Sequence, residues 1–193
     1  EIGPGESNYT HYDRRIRDAA VNWIREKAHT QSDKPWTVFV SFVAPHFPLI
    51  APEPFYARYA DTGLMPEKPV LEDDHPWVQA LRACYLYDNF DDERTRIALA
   101  SYYGLVSFMD DNVGQVLNAL DSSGLGDDTV VLYVSDHGDN AGERGLWGKS
   151  TMYEESAGIP AILAGPGVPA AKISKTPVTL MDIYPTVLHV GGV

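Results

Sequence analysis

Cysteine is almost absent: Cys84 is the single one in 193 residues. One thiol cannot form an internal disulfide, so the fold does not depend on oxidation. Basic residues are also scarce, with 15 Lys and Arg against 27 Asp and Glu and a formal net charge of −12. That balance argues against nucleic acid, which requires a basic face, and against an anionic membrane surface. No apolar run approaches the ~20 residues of a membrane span, and no signal-peptide pattern is visible at Glu1. The expected compartment is the cytoplasm or the periplasm, with the lack of cystine favouring the cytoplasm. No internal repeat or low-complexity tract is evident.

What is present is an ordinary globular composition, 44% hydrophobic and 22% charged, in a chain long enough for one sizeable core. Residues 1–10 read as an irregular lead-in. Asp13–His29 has helical spacing at Ile16, Ala19, Ala20, Trp23, Ile24 and Ala28, with Arg14, Arg15, Arg17 and Lys27 expected to face away. Trp36–Val43 has the composition of a strand. A proline-punctuated stretch from Pro48 to Pro76 reads as an irregular excursion with solvated acids Glu67, Glu72, Asp73 and Asp74. Asp91–Leu120 predicts one or two helices, Thr129–Val134 and Ile159–Leu163 predict strands, and Asp182–Val190 predicts a helix with Asp182 as its cap. Strands alternating with helices imply an α/β sheet with helices on both faces.

The richest segment is Val130–Glu155. The apolar run Val130–Val134 stops at Ser135-Asp136-His137-Gly138, and Leu146-Trp147-Gly148-Lys149 follows. A carboxylate and an imidazole at the carboxyl end of a strand stand where α/β sheets keep their ligands. Lys149 adds a positive charge to the same loop, so a metal site beside an anion site is the natural reading. An isolated Asp-His-Gly would otherwise be a cap and a surface turn. A single loop lysine is ordinarily solvated, and a histidine between prolines is ordinarily packed.

These residues resemble the sulfatase branch of the alkaline phosphatase superfamily. The landmarks recur in order: Ala44-Pro45-His46-Phe47-Pro48, Tyr102-Tyr103-Gly104, Met109-Asp110-Asp111-Asn112-Val113-Gly114, Ser135-Asp136-His137-Gly138, Trp147-Gly148-Lys149 with Tyr153-Glu154-Glu155, Ile159-Pro160, and Met181-Asp182-Ile183-Tyr184-Pro185-Thr186. Asp-His, where many sulfatases have Asp-Asn, leans toward choline-sulfatases and phosphonate monoester hydrolases. One feature departs from the family. Its nucleophile stands in a Cys/Ser-x-Pro-x-Arg box and is oxidised to formylglycine, but Cys84 lies in Arg82-Ala83-Cys84-Tyr85-Leu86 and lacks that context. Family members are also about two to three times this length, beyond the usual single-domain range. Residues 1–193 are therefore expected to be an internal or C-terminal fragment of one sulfatase-type catalytic domain, without its nucleophile region.

The resemblance implies an alkaline-phosphatase-like α/β sandwich with a mostly parallel central sheet flanked by helices, present in part. It implies metal-dependent hydrolysis of sulfate esters by the parent protein through formylglycine, with the fragment alone inactive. Asp136 and His137 are the expected ligands of one divalent metal, Ca²⁺ or Mn²⁺, with Mg²⁺ as a further candidate. Lys149 is expected to bind the transferred anionic group, and His46 to contact it and protonate the leaving oxygen. Asp110 and Asp111 read as helix-surface charges. Glu154 and Glu155 read as helix-start acids rather than as a lure for a cationic alcohol such as choline. The expected partner is a small-molecule sulfate or phosphonate ester, with no nucleic acid and no membrane, and the expected assembly is a homo-oligomer. A phosphonate monoester or phosphodiester hydrolase is the nearest alternative. A catalytically inert metal-binding homologue or inactive fragment is the other.

Overall fold

The computed structural model describes residues 1–30, 34–85 and 90–192. It opens on a short strand, β1 (Ile2–Pro4), rather than an irregular lead-in. Helix α1 (Asn8–Ala28) starts five residues ahead of the expected point, because Ser7 and Thr10 form a reciprocal capping box. Ser7 Oγ accepts from the Thr10 amide at 3.2 Å, and Thr10 Oγ1 accepts from the Ser7 amide at 2.9 Å. The cap lies outside the apolar repeat, so periodicity alone begins the helix too late.

The segment after α1 corrects the sequence reading. Residues 35–43 are not a strand, and Phe39 is 86% exposed. A strand is defined by a neighbour's ladder, and no described residue supplies one here; β composition records only suitability for such a place. The proline-rich stretch holds three elements: β2 (Leu49–Ala51), α2 (Glu53–Tyr56) and α3 (Pro76–Cys84). β2 pairs in parallel with β1, with Gly3 opposite Ile50. Asp74, expected in solvent, is only 5% exposed.

Helix α4 (Asp92–Ser122) is one continuous helix. Asp91 caps it by accepting from the Arg94 amide at 2.8 Å, and Asp92 and Glu93 favour its positive end. Ser123-Gly124 ends it, with Gly124 in the left-handed region at φ +75°. Its inner face carries Ala98, Leu105 and Phe108, which pack with Ala44, Leu49 and Ala51 into the main core. Gly104 belongs to this contact: a Cβ there would stand 2.9 Å from that of Ala51. Arg14 and Arg17 of α1 do not face away, because their long arms lie along α4. The Arg14 guanidinium sits over the Phe108 ring at 5.1 Å, and Arg17 donates to buried Asn112 at 3.2 Å. Asp110 and Asp111 are exposed, as read.

β3 (Val131–Val134) follows and pairs antiparallel with β4 (Ala161–Ala164), with Leu132 opposite Leu163. Between them run the loop 135–153 and a single helical turn, α5 (Glu154–Ala157). The chain closes with α6 (Ile183–Val190). Asp182 is not its simple cap. Thr179 caps the preceding tight turn, and Asp182 Oδ2 accepts from the Thr179 amide at 2.7 Å. The fold is a mixed α/β architecture in which α4 packs on the β1–β2 pair, while β4 of the second pair is exposed along its length. Among the described residues, its strand pairing is one parallel and one antiparallel pair. No helix among them is long and apolar enough to cross a membrane.

Candidate active site

Three of the four expected site residues meet, although the chain brings them from separate places. His46 sits in the turn after residues 35–43, flanked by the cis peptide bonds Ala44–Pro45 and Phe47–Pro48. His137 leaves the end of β3, and Lys149 returns from the far side of the following loop. Lys149 Nζ lies 2.9 Å from His46 Nε2 and 2.8 Å from His137 Nε2. The other ring nitrogens settle the tautomers. His46 Nδ1 is 2.9 Å from the Phe47 carbonyl, and His137 Nδ1 is 2.8 Å from the Gly138 carbonyl. A carbonyl can only accept, so each Nδ1 carries a proton and each Nε2 turns a lone pair toward Lys149. One ammonium thus bridges two imidazole acceptors.

Asp136 is less engaged. Its side chain is 82% exposed, and its Oδ2 stands 3.6 Å from His137 Nε2. Oδ1 accepts from the His137 amide at 3.0 Å. Carboxylate oxygen and imidazole nitrogen this close face a common space and suit one divalent ion, as two of its ligands. Among the described residues, no group of three or more His, Cys, Asp or Glu side chains converges to complete a set.

Two residues that the sequence reading passed over hold Lys149 in place. Asp139 Oδ1 accepts from the amides of Ala141 at 2.8 Å and Gly148 at 2.9 Å. Asn140 is fully buried; its Nδ2 donates to the Gly148 carbonyl at 2.7 Å, and its Oδ1 accepts from Thr151 at 3.1 Å. Together they draw the loop into a ring that ends on Lys149. The available signal was Asp-Asn directly after His-Gly, because short amides and carboxylates bond neighbouring backbone in turns. Leu146, with no exposed surface, anchors the ring in a separate small core with Val78 and Leu81. Such burial of a leucine stabilises by roughly 1.5–3 kcal/mol.

The proline-rich stretch straps this loop from outside. The Trp77 indole donates to the Ser150 carbonyl at 2.7 Å, next to Lys149, and Arg82 donates to the Arg144 carbonyl at 2.7 Å. Tyr153 donates to Asp74 at 2.6 Å, which with the paired Arg82 guanidinium holds the Asp74 carboxyl below its usual range. Glu155 pairs with Lys68 and with Arg144, the latter at 3.0 Å. It is therefore committed to those cations and is not available to attract a cationic alcohol. Lys68, then Arg144, depress its carboxyl from 4.5 to about 2.

A folded-state value below the unfolded one means that the ionised form is favoured by folding. The stabilisation is whole above about pH 4.5 and is lost as pH falls toward about 2. Glu155→Gln is expected to cost about 1.5–3 kcal/mol at pH 7, the range for hydrogen bonds to charged groups. That difference should narrow steadily between pH 5 and about pH 2. Urea unfolding of both proteins across that window checks it, and a difference independent of pH would contradict it.

The chain is similar in sequence and fold to known proteins. A family model described as Sulfatase covers residues 3–193. The choline-sulfatase of Rhizobium meliloti (strain 1021) is 34% identical over 195 residues, spanning 97% of this chain and 38% of that protein. Arylsulfatase K of Bos taurus is 31% identical over 194 residues, spanning 91% of this chain and 35% of that protein. Among solved structures, a phosphonate monoester hydrolase from Silicibacter pomeroyi superposes with a TM-score of 0.74 at 25% identity, over 92% of this chain and 38% of that one. The chain thus spans under two-fifths of the length of these relatives. Its α/β architecture is the alkaline-phosphatase-like one that the landmarks implied, and the chain belongs to the sulfatase family.

Proposed function

We propose that these residues form the anion-binding, metal-binding and proton-handling side of a metal-dependent ester hydrolase, with a sulfate ester as substrate. The observation that carries this is Lys149 Nζ held between His46 Nε2 and His137 Nε2 at 2.9 and 2.8 Å. Neutral imidazole lone pairs are weaker acceptors than anionic oxygens, so an incoming sulfuryl group draws Lys149 onto itself. That frees the Nε2 lone pair of His137, which with Asp136 would hold the metal; when bound, the ion supplies Lewis acidity to an ester oxygen. His46 Nε2, released from the resting contact with Lys149, then lies free to carry a proton from solvent to the departing alcohol, while Lys149 stays an ammonium on the anion. The nucleophile, a formylglycine on this reading, comes from outside residues 1–193. The partner is a small-molecule ester, and the assembly that acts on it is a homo-oligomer. The metal is Ca²⁺ or Mn²⁺, with Mg²⁺ as a further candidate.

The names of the relatives support sulfate, and the phosphonate monoester hydrolase superposition supports a second reading in which the ester is a phosphonate. The test is hydrolysis of 4-nitrophenyl sulfate and 4-nitrophenyl phenylphosphonate by the protein expressed from its whole reading frame, before and after chelation and readdition of Mn²⁺ or Ca²⁺. A higher, metal-dependent kcat/KM for the sulfate is expected; the reverse order selects the second reading. Metal binding with no turnover of either ester would make the protein an inert homologue. The 193-residue chain alone is expected to turn over neither ester, because nothing in it stands in the nucleophile's context.

A further inference from the structure

Asp13 is a buried acid that the chemistry above does not use. It lies one turn into α1, it has no exposed surface, and no salt bridge reaches it among the described residues. A carboxylate placed so is costly unless its lone pairs are met. Both oxygens are met by the chain that leads to His46: Oδ1 accepts from the Val43 amide at 2.8 Å, and Oδ2 from the Ala44 amide at 2.9 Å. The turn then closes on itself, with the His46 amide donating to the Val43 carbonyl at 3.0 Å. Tyr9, four residues earlier on the same helix, meets the His46 ring edge-on at 6.2 Å. Among the described residues no ladder fixes residues 35–43, so this carboxylate stands at their end where strand hydrogen bonds would otherwise do that work.

We propose that Asp13 is a positioning residue for His46: its carboxylate clamps two successive backbone amides so that the imidazole faces the leaving oxygen. The inference rests on the reading of His46 as the leaving-group acid. Asparagine in its place offers one acceptor and turns an N–H₂ group toward the second amide, so the clamp opens on one side.

The test uses the whole-reading-frame protein and two esters of whichever acid it hydrolyses, the 4-nitrophenyl and the ethyl. The 4-nitrophenolate leaves without a proton, whereas ethoxide needs one. Asp13→Asn is expected to lower kcat for the ethyl ester by about tenfold or more, part of the ~10²–10⁴ that a general acid contributes, and to leave the 4-nitrophenyl ester within about threefold. His46→Gln should show the same asymmetry more strongly, and Asp13→Asn should add nothing to it in the double variant. Equal loss on both esters, or losses that multiply in the double variant, would overturn the positioning role. If His46→Gln itself shows no asymmetry, the acid reading of His46 fails and takes this inference with it. Should Asp13→Asn not fold, Asp13→Glu, which keeps the charge but moves it by a methylene, carries the same comparison.

Discussion

Gly138→Ala is expected to lower the thermal midpoint by about 10 °C, on the order of 3 kcal/mol for a chain of this size, and to disorder the candidate site with it. A Cβ at this position would stand 2.1 Å from the Glu155 carbonyl oxygen and 3.0 Å from its carbon. Both obstacles are backbone, so no side chain can swing aside. The Gly138 amide also donates to the Ser156 carbonyl at 2.8 Å, which fixes the approach. Relief requires the exit of β3 to part from α5. The first carries His137, and the second carries Glu155 with its pairs to Lys68 and Arg144. Gly114 is the control. It lies within α4 and a Cβ there meets nothing within 4 Å, so Gly114→Ala should stabilise by up to about 1 kcal/mol through helix propensity. Thermal unfolding of the two variants beside the parent checks both signs. Equal, small effects would show that the contact between β3's exit and α5 yields easily.

That glycine also marks the limit of what the sequence discloses. Asp-His-Gly after an apolar run reads as a ligand position, with Gly138 serving the turn. Its necessity comes from a carbonyl that is remote in sequence, which no local pattern records. The same distinction separates the other residues. His46, His137 and Lys149, which the structure brings together, stand out in the sequence because their chemistry and neighbours are unusual for a surface. Asp13 was not, since an aspartate on an amphipathic helix reads as a solvent charge until residues 43 and 44 are seen against it. Asp74 read as part of a solvated acidic stretch because its partners, Arg82 and Tyr153, are supplied by tertiary structure. Residues 36–43 have strand composition without a strand, because pairing depends on a neighbour. Long helices fared better: Asp91 and Ser123-Gly124 delimit α4 by local hydrogen bonding and backbone freedom, which a sequence does carry.

Lys149→Ala is expected to abolish most hydrolysis by the whole-reading-frame protein, by about 10²–10³ in kcat, the usual loss when one preorganised donor to a developing anion is removed. The fold should survive. Lys149 is held by contacts to two half-buried histidines that water can replace, while the ring that presents it is closed by Asp139 and Asn140. Thermal stability within about 1 kcal/mol of the parent is therefore expected, as for a partly exposed hydrogen bond. Lys149→Arg should not rescue, because a planar guanidinium cannot take the place of a compact ammonium lying 2.9 and 2.8 Å from two ring nitrogens. Metal affinity should move the opposite way. The ammonium repels a dication at neighbouring ligands and blocks the lone pair of His137, so its removal should tighten Mn²⁺ binding by about tenfold. The opposed signs are the discriminating result. An anion-binding lysine loses catalysis while the metal site gains, whereas a lysine that merely props the loop would weaken both together.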